Sequence, residues 1–156
     1  MSIKNVKQYF QKWQREKDII EFEQPTATVA QAALALNVIE ARIAKSISLK
    51  NGGLAMIVVS AGDTKLDNKK FKAYFGFKAS MLTPDEALCA TGHAVGGVCP
   101  FALPPGVLVY LDVSLKRFET IFPACGSSNS AIELTPDELH EYSNNKEWID
   151  VCKQVE

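Results

Sequence analysis

Arg42-Ile43-Ala44-Lys45-Ser46-Ile47-Ser48-Leu49-Lys50-Asn51-Gly52-Gly53-Leu54-Ala55-Met56-Ile57-Val58-Val59-Ser60 is the stretch whose reading decides the fold. Asn51-Gly52-Gly53 is a strong turn signal between two strand-like runs, so the stretch reads as a β-hairpin. The second run, from Leu54 to Ser60, is continuously apolar and reads as a buried strand. In the first run Ile43, Lys45, Ile47 and Leu49 share one parity, which puts Lys45 on the face its apolar neighbours occupy. A lysine there either snorkels or meets an anion. A bulge or a helical start would instead turn it to solvent.

Working outward towards the N-terminus, Ile3, Val6, Phe10 and Trp13 recur at helical spacing and predict an amphipathic helix over about 3–17. Ile19-Ile20-Glu21-Phe22-Glu23 changes period towards a strand, Pro25 breaks it, and Thr28 caps a helix over Val29 to Leu36. Beyond the hairpin, Asp67 can cap a helix that ends at Gly76, and residues 77–82 can add a short strand. Thr83-Pro84-Asp85-Glu86 and Thr135-Pro136-Asp137-Glu138 are each a Thr cap, a first-turn Pro and a Glu completing a capping box. Further strands are expected over 107–112, 119–124 and 131–134, with a strand or helix at 148–151. Adjoining strands outnumber helices, so the expectation is one α+β domain spanning 1–156. Its sheet is mixed, largely antiparallel and curled towards a barrel, with flanking helices.

The composition is that of an ordinary globule, 47% hydrophobic and 22% charged, with a formal net charge of −1. Such a balance gives no general attraction to nucleic acid, so any nucleic-acid recognition has to be local. No apolar run approaches the ~20 residues of a membrane helix, and the N-terminus lacks a signal-peptide core. A cytoplasmic location without membrane contact is expected. Cys89, Cys99, Cys125 and Cys152 form no CxxC pair and only His93 and His140 accompany them. Neither a metal site nor a cofactor is expected.

Thr91-Gly92-His93-Ala94-Val95-Gly96-Gly97-Val98-Cys99-Pro100-Phe101 follows a helix end and is poor helix and poor strand. Its glycines let backbone approach a ligand closely, and Pro100 fixes φ. Cys99 and His93 could form a nucleophilic pair, or simply pack. There is no G-x-S-x-G elbow and no P-loop. Lys45, this loop and the turn at Gly126-Ser127-Ser128-Asn129 remain: one cation, backbone N–H groups and small hydroxyls. That set can bind a phosphate or a polarised ester without a metal.

The order and spacing of Ala44-Lys45-Ser46, Thr91 to Phe101, Val109-Tyr110-Leu111-Asp112, Gly126-Ser127-Ser128 and Ile132-Glu133-Leu134 resemble the YbaK/EbsC family. These proteins are free-standing relatives of the editing insertion domain of prolyl-tRNA synthetases. The resemblance runs from about Thr26 to about Leu139. It implies a trans-editing aminoacyl-tRNA deacylase, which hydrolyses the ester of a mischarged tRNA; a non-catalytic module binding a tRNA end or nucleotide is the alternative. It implies that Lys45 contacts the terminal adenosine or its phosphate, and that the Gly96-Gly97-Val98-Cys99-Pro100 loop holds the aminoacyl carbonyl. Family members commonly use a substrate hydroxyl or an ordered water in place of a protein nucleophile. Catalytic roles are thus expected of Lys45, Gly96, Gly97 and Pro100. Substrate contacts are expected of Thr26, His93, Val98, Cys99, Gly126, Ser127 and Ser128. The implied partner is the aminoacyl-tRNA acceptor end. An associated aminoacyl-tRNA synthetase is a further candidate, since the chain has no evident anticodon-binding extension. His93 stands where many relatives carry tyrosine, and the 126–129 turn lacks the basic residues of some members. The edited amino acid (alanine, cysteine, serine, threonine or another) stays open.

Overall fold

The computed structural model describes residues 2–155. Its elements run α1 (Ser2–Gln11), β1 (Ile20–Glu21), α2 (Val29–Leu36), β2 (Ile43–Asn51), β3 (Leu54–Ala61), β4 (Thr64–Leu66), α3 (Asn68–Phe75) and α4 (Pro84–Thr91). After the glycine loop come β5 (Leu108–Asp112), β6 (Phe122–Pro123), β7 (Ser130–Ala131), α5 (Pro136–Tyr142), β8 (Glu147–Ile149) and β9 (Cys152–Gln154).

The hairpin is the longest ladder, antiparallel from Asn51↔Leu54 to Ala44↔Ala61. Gly52 turns it at φ +63°, a conformation that favours glycine. It forms the middle of a five-stranded sheet in the order β6-β2-β3-β5-β8. The other three ladders of that sheet are parallel and short. The sheet is therefore mixed, and the antiparallel pairing is concentrated in the hairpin and in two outlying ribbons, β1–β7 and β4–β9. β3 is covered on both faces, which is why its sequence carries no polar alternation. Ile57 and Val59 meet Phe10 of α1, Leu139 of α5 and Phe101 on one side; Met56 and Val58 meet Phe71 of α3 and Val151 on the other. Ala32 and Ala33 of α2 cover Ile43 and Phe122 at the sheet's end.

The helix caps form where local chemistry places them. Thr28 with Gln31, Thr83 with Glu86 and Thr135 with Glu138 complete capping boxes, and Asp67 accepts from the amides of Lys69 and Lys70. Elsewhere the structure departs from the periodicity. The first helix ends at Gln11, not near residue 17. Trp13 turns back to pack its ring 4.6 Å from that of Tyr142, and Arg15 reaches Glu138 at 2.6 Å. Residues 77–82 make only the bridge Leu49↔Met81. The expected strand at 119–124 shrinks to Phe122–Pro123, whose proline has no N–H to extend the ladder. No helix among the described residues is long and apolar enough to cross a membrane.

Candidate functional site

The two edges of β2 differ. Towards β3 it is paired from Ala44 to Asn51. On the other side β6 covers only Ile43 and Ala44, and residues 80–82 cover only the far end, through Lys50 N–H to Ser80 O and Leu82 N–H to Ser48 O. The stretch between, Lys45–Ile47, is left as an open strand edge. A cleft of about 300 Å³ lies against it, closed by Thr26 and Val29 at the start of α2, by Met81 and Leu82, and by Gly96 and Val98 of the glycine loop. Ser46 also lines this cleft, and its buried hydroxyl has no hydrogen-bond partner among the described residues.

Lys45 sits on the strand face that parity assigns it, with Ile47 and Leu49, and its ammonium donates to the carbonyl of Thr64 on β4. Burial pushes its pKa below the usual lysine value, opposed by the charges of Cys152 and Asp63. Its stem thus lines the cleft while its ammonium is drawn out of water onto a backbone carbonyl, so it neither snorkels to solvent nor meets an anion.

The glycine loop takes its shape from two close approaches. Gly96 has φ +88°, and a Cβ there would stand 2.9 Å from that of Ala27. A Cβ on Gly97 would stand 2.8 Å from backbone atoms of Gly126 and Ser127. The loop therefore lies directly on the 126–128 turn, which is tied in turn to Thr26: Ser128 O accepts from Thr26 N–H at 2.6 Å. The amide of Gly97 turns inward to Ala94 O at 2.9 Å. The amides of Gly96 and Val98 make no hydrogen bond to any described residue. Two N–H donors thus stand on cleft-lining residues.

Of the residues singled out from sequence, Thr26, Lys45, Gly96 and Val98 line this one cleft. Gly97, Gly126, Ser127 and Ser128 lie behind Gly96 as its support, and Ser127 Oγ is engaged by Asn129 and Ser130. Pro100 lines a different depression beside Tyr9 and Val109. His93 and Cys99 do meet, Sγ 3.5 Å from Nε2, but both are buried in the core behind the loop. Nε2–H donates to Phe101 O at 2.8 Å, which leaves Nδ1 to accept from the Ser2 hydroxyl. His93 therefore ties the start of α1 to the glycine loop. Burial pushes the Cys99 thiol up to about 12, so it is not poised as a nucleophile. Ser46 is a cleft residue to which the sequence alone assigns no role. Its place beside Lys45, on the opposite parity of the strand, is the available signal.

Burial, partly offset by the bond to Phe101, holds the His93 imidazole below its usual 6.5. The unfolded chain then binds the extra proton first, so stability falls as pH drops from about 6.5 towards the depressed folded value. Asp63, Asp67 and Glu86 are held below their usual carboxylate values, chiefly by hydrogen bonds, so their contribution is lost only in the more acidic carboxylate range. Melting temperature should accordingly fall between pH 7 and pH 5.5, and His93→Gln should flatten that dependence. Equal pH dependence in the two proteins would refute the assignment.

The family described as aminoacyl-tRNA editing domain matches residues 23–142. The uncharacterized protein YwhH of Bacillus subtilis (strain 168) is 59% identical across the full length of both chains. EbsC of Enterococcus faecalis, whose name carries a provisional assignment as a Cys-tRNA(Pro)/Cys-tRNA(Cys) deacylase, is 27% identical over 73% of this chain and 71% of its own. A crystal structure provisionally described as a trans-editing enzyme for prolyl tRNA synthetase superposes with TM-score 0.87. It shares 25% identity, with 97% of each chain covered. The crystal structure of hypothetical protein APE2540 superposes with TM-score 0.80 at 30% identity, over 93% of this chain and 99% of that one.

Proposed function

The chain belongs to the aminoacyl-tRNA editing domain family, and from that premise we propose that it hydrolyses the ester joining a wrongly attached small amino acid to the 3′ end of a tRNA. The observation that carries the reading is one cleft lined by Lys45, Gly96 and Val98, the last two with amides that bond to no described residue. Its volume, about 300 Å³, is at the small end for ligand sites. An aminoacylated ribose fits there, with the rest of the acceptor end outside. Ala32, Val29 and Phe122 supply an apolar wall for the amino-acid side chain.

In the reaction a water adds to the ester carbonyl, the acyl C–O bond breaks, the ribose oxygen takes a proton, and the free amino acid leaves. Negative charge grows on the carbonyl oxygen in the transition state, and fixed N–H donors aimed at it lower the barrier. The amides of Gly96 and Val98 take that role, and Lys45 adds a cation for the developing oxyanion or the adjoining phosphate. The attacking oxygen is activated by the substrate's own hydroxyl, since the cleft presents Thr and Ser hydroxyls but no acidic or imidazole base among its lining residues. The scheme calls on no cofactor, and it places the protein where charged tRNA is found, in the cytoplasm.

Purified protein should deacylate at least one of a panel of tRNAs mischarged with alanine, cysteine, serine or threonine, faster than spontaneous hydrolysis. Saturable binding without turnover on every member would sink the reading. Cys99→Ala should retain wild-type kcat/KM, because its thiol is buried and protonated. Loss of activity with an unchanged melting temperature would move the chemistry to the thiol.

A further inference from the structure

The charge of this chain is segregated. Residues 64–78, Thr-Lys-Leu-Asp-Asn-Lys-Lys-Phe-Lys-Ala-Tyr-Phe-Gly-Phe-Lys, hold five lysines and one acid in a protein of net charge −1. They form β4, α3 and the turn after it. On the β4–β9 ribbon Lys65 stands directly opposite Lys153, both exposed. Like charges directly opposite each other on a ribbon are destabilising unless an anion joins them. The nearby acids do not neutralise the set. Asp67 is engaged by the first amides of α3, Asp150 pairs with Lys70 at 3.1 Å, and Glu147 lies beside the Tyr74 hydroxyl. Lys65, Lys69, Lys72, Lys78 and Lys153 have no ion-pair partner among the described residues. Tyr74 and Phe77, 43% and 38% exposed, stand among them.

The chain links this segment to the cleft on both sides. At its start, the Thr64 carbonyl receives the Lys45 ammonium. At its end the chain continues into Ser80 and Leu82, which bond to β2, and into Met81 at the cleft rim. Lysines follow a phosphate backbone, and exposed aromatic rings stack on unpaired bases. We propose that the β4–β9–α3 surface is the docking face for the tRNA acceptor arm. Lys65, Lys69, Lys72 and Lys153 meet its phosphates, and Tyr74 or Phe77 supports an unpaired base beside the 3′ end. The inference rests on the editing reading only for the identity of the polyanion.

The test is binding of an uncharged tRNA-Pro transcript to the full chain, by fluorescence anisotropy across a salt series. Wild type should bind, with log affinity falling linearly against log salt. The variant K65E/K69E/K72E/K153E should bind at least tenfold more weakly, with a slope shallower by roughly 0.7–0.9 for each phosphate that is no longer neutralised. The control K4E/K17E carries two of the same charge reversals on exposed lysines outside the segment and should bind like wild type. Matching melting temperatures show that all three are folded. Hydrolysis of a short aminoacylated CCA oligonucleotide should be nearly unaffected by the four reversals. Wild-type affinity and slope in the quadruple variant, or equal weakening in the control, would overturn the docking face. Lysine-dependent binding without hydrolysis of any substrate would leave the docking face standing and remove the deacylase reading instead.

Discussion

Lys45→Ala is expected to lower kcat/KM for deacylation by about 10²–10³-fold, the scale seen when one preorganised stabiliser of a transition-state charge is removed. A structural effect has to be separated from this, because the substitution also takes away the donor to the Thr64 carbonyl. An unmade hydrogen bond of that kind costs about 1–3 kcal/mol. In a chain of this length each kcal/mol lowers the melting temperature by roughly 2–4 °C. The folded fraction at 25 °C would scarcely change, so the electrostatic loss dominates the assay. Lys45→Met, which keeps most of the stem that lies along the cleft, should lose nearly as much activity with a smaller change in melting temperature. Retention of activity in Lys45→Met would show that the stem matters and the cation does not.

Lys45 also shows how far the sequence carries. Its parity with Ile47 and Leu49 is a local property of a strand, and the structure places it as that alternation requires. The hairpin and the capped helix starts are legible for the same reason: turn and cap chemistry lie within four residues. What escaped is non-local. The β4–β9 ribbon pairs Thr64 with Gln154, and no pattern near Thr64 announces a partner so distant in the chain. His93 escaped similarly. A histidine in a glycine-rich loop reads equally well as facing a ligand or the core. Its bond to Ser2, 91 residues away, sends it into the core. The inward amide of Gly97 and the unpartnered ones of Gly96 and Val98 depend on the loop's path over the 126–128 turn, which spacing does not encode.

Gly97→Ala should destabilise the protein by about 3 kcal/mol, the upper end for forcing an extra carbon into a packed site. The added Cβ would lie 2.8 Å from Gly126 C and from Ser127 N. Both are backbone atoms, so no side chain can rotate away, and either the glycine loop or the 126–128 turn must shift. Gly126 has little room to retreat, because even a single carbon added on its far side would stand 2.7 Å from Ser2 Oγ and 2.9 Å from Val6 on α1. Displacement therefore falls on the glycine loop and carries the amides of Gly96 and Val98 away from the cleft. Activity should fall along with a drop in melting temperature of roughly 6–12 °C. Gly53→Ala is the matched control: its added carbon meets nothing within 4 Å and its φ is not left-handed. It should change neither melting temperature nor turnover appreciably. A Gly97→Ala protein that melts and turns over like Gly53→Ala would mean that the loop does not depend on this contact, and the positioning of its amides would need another cause.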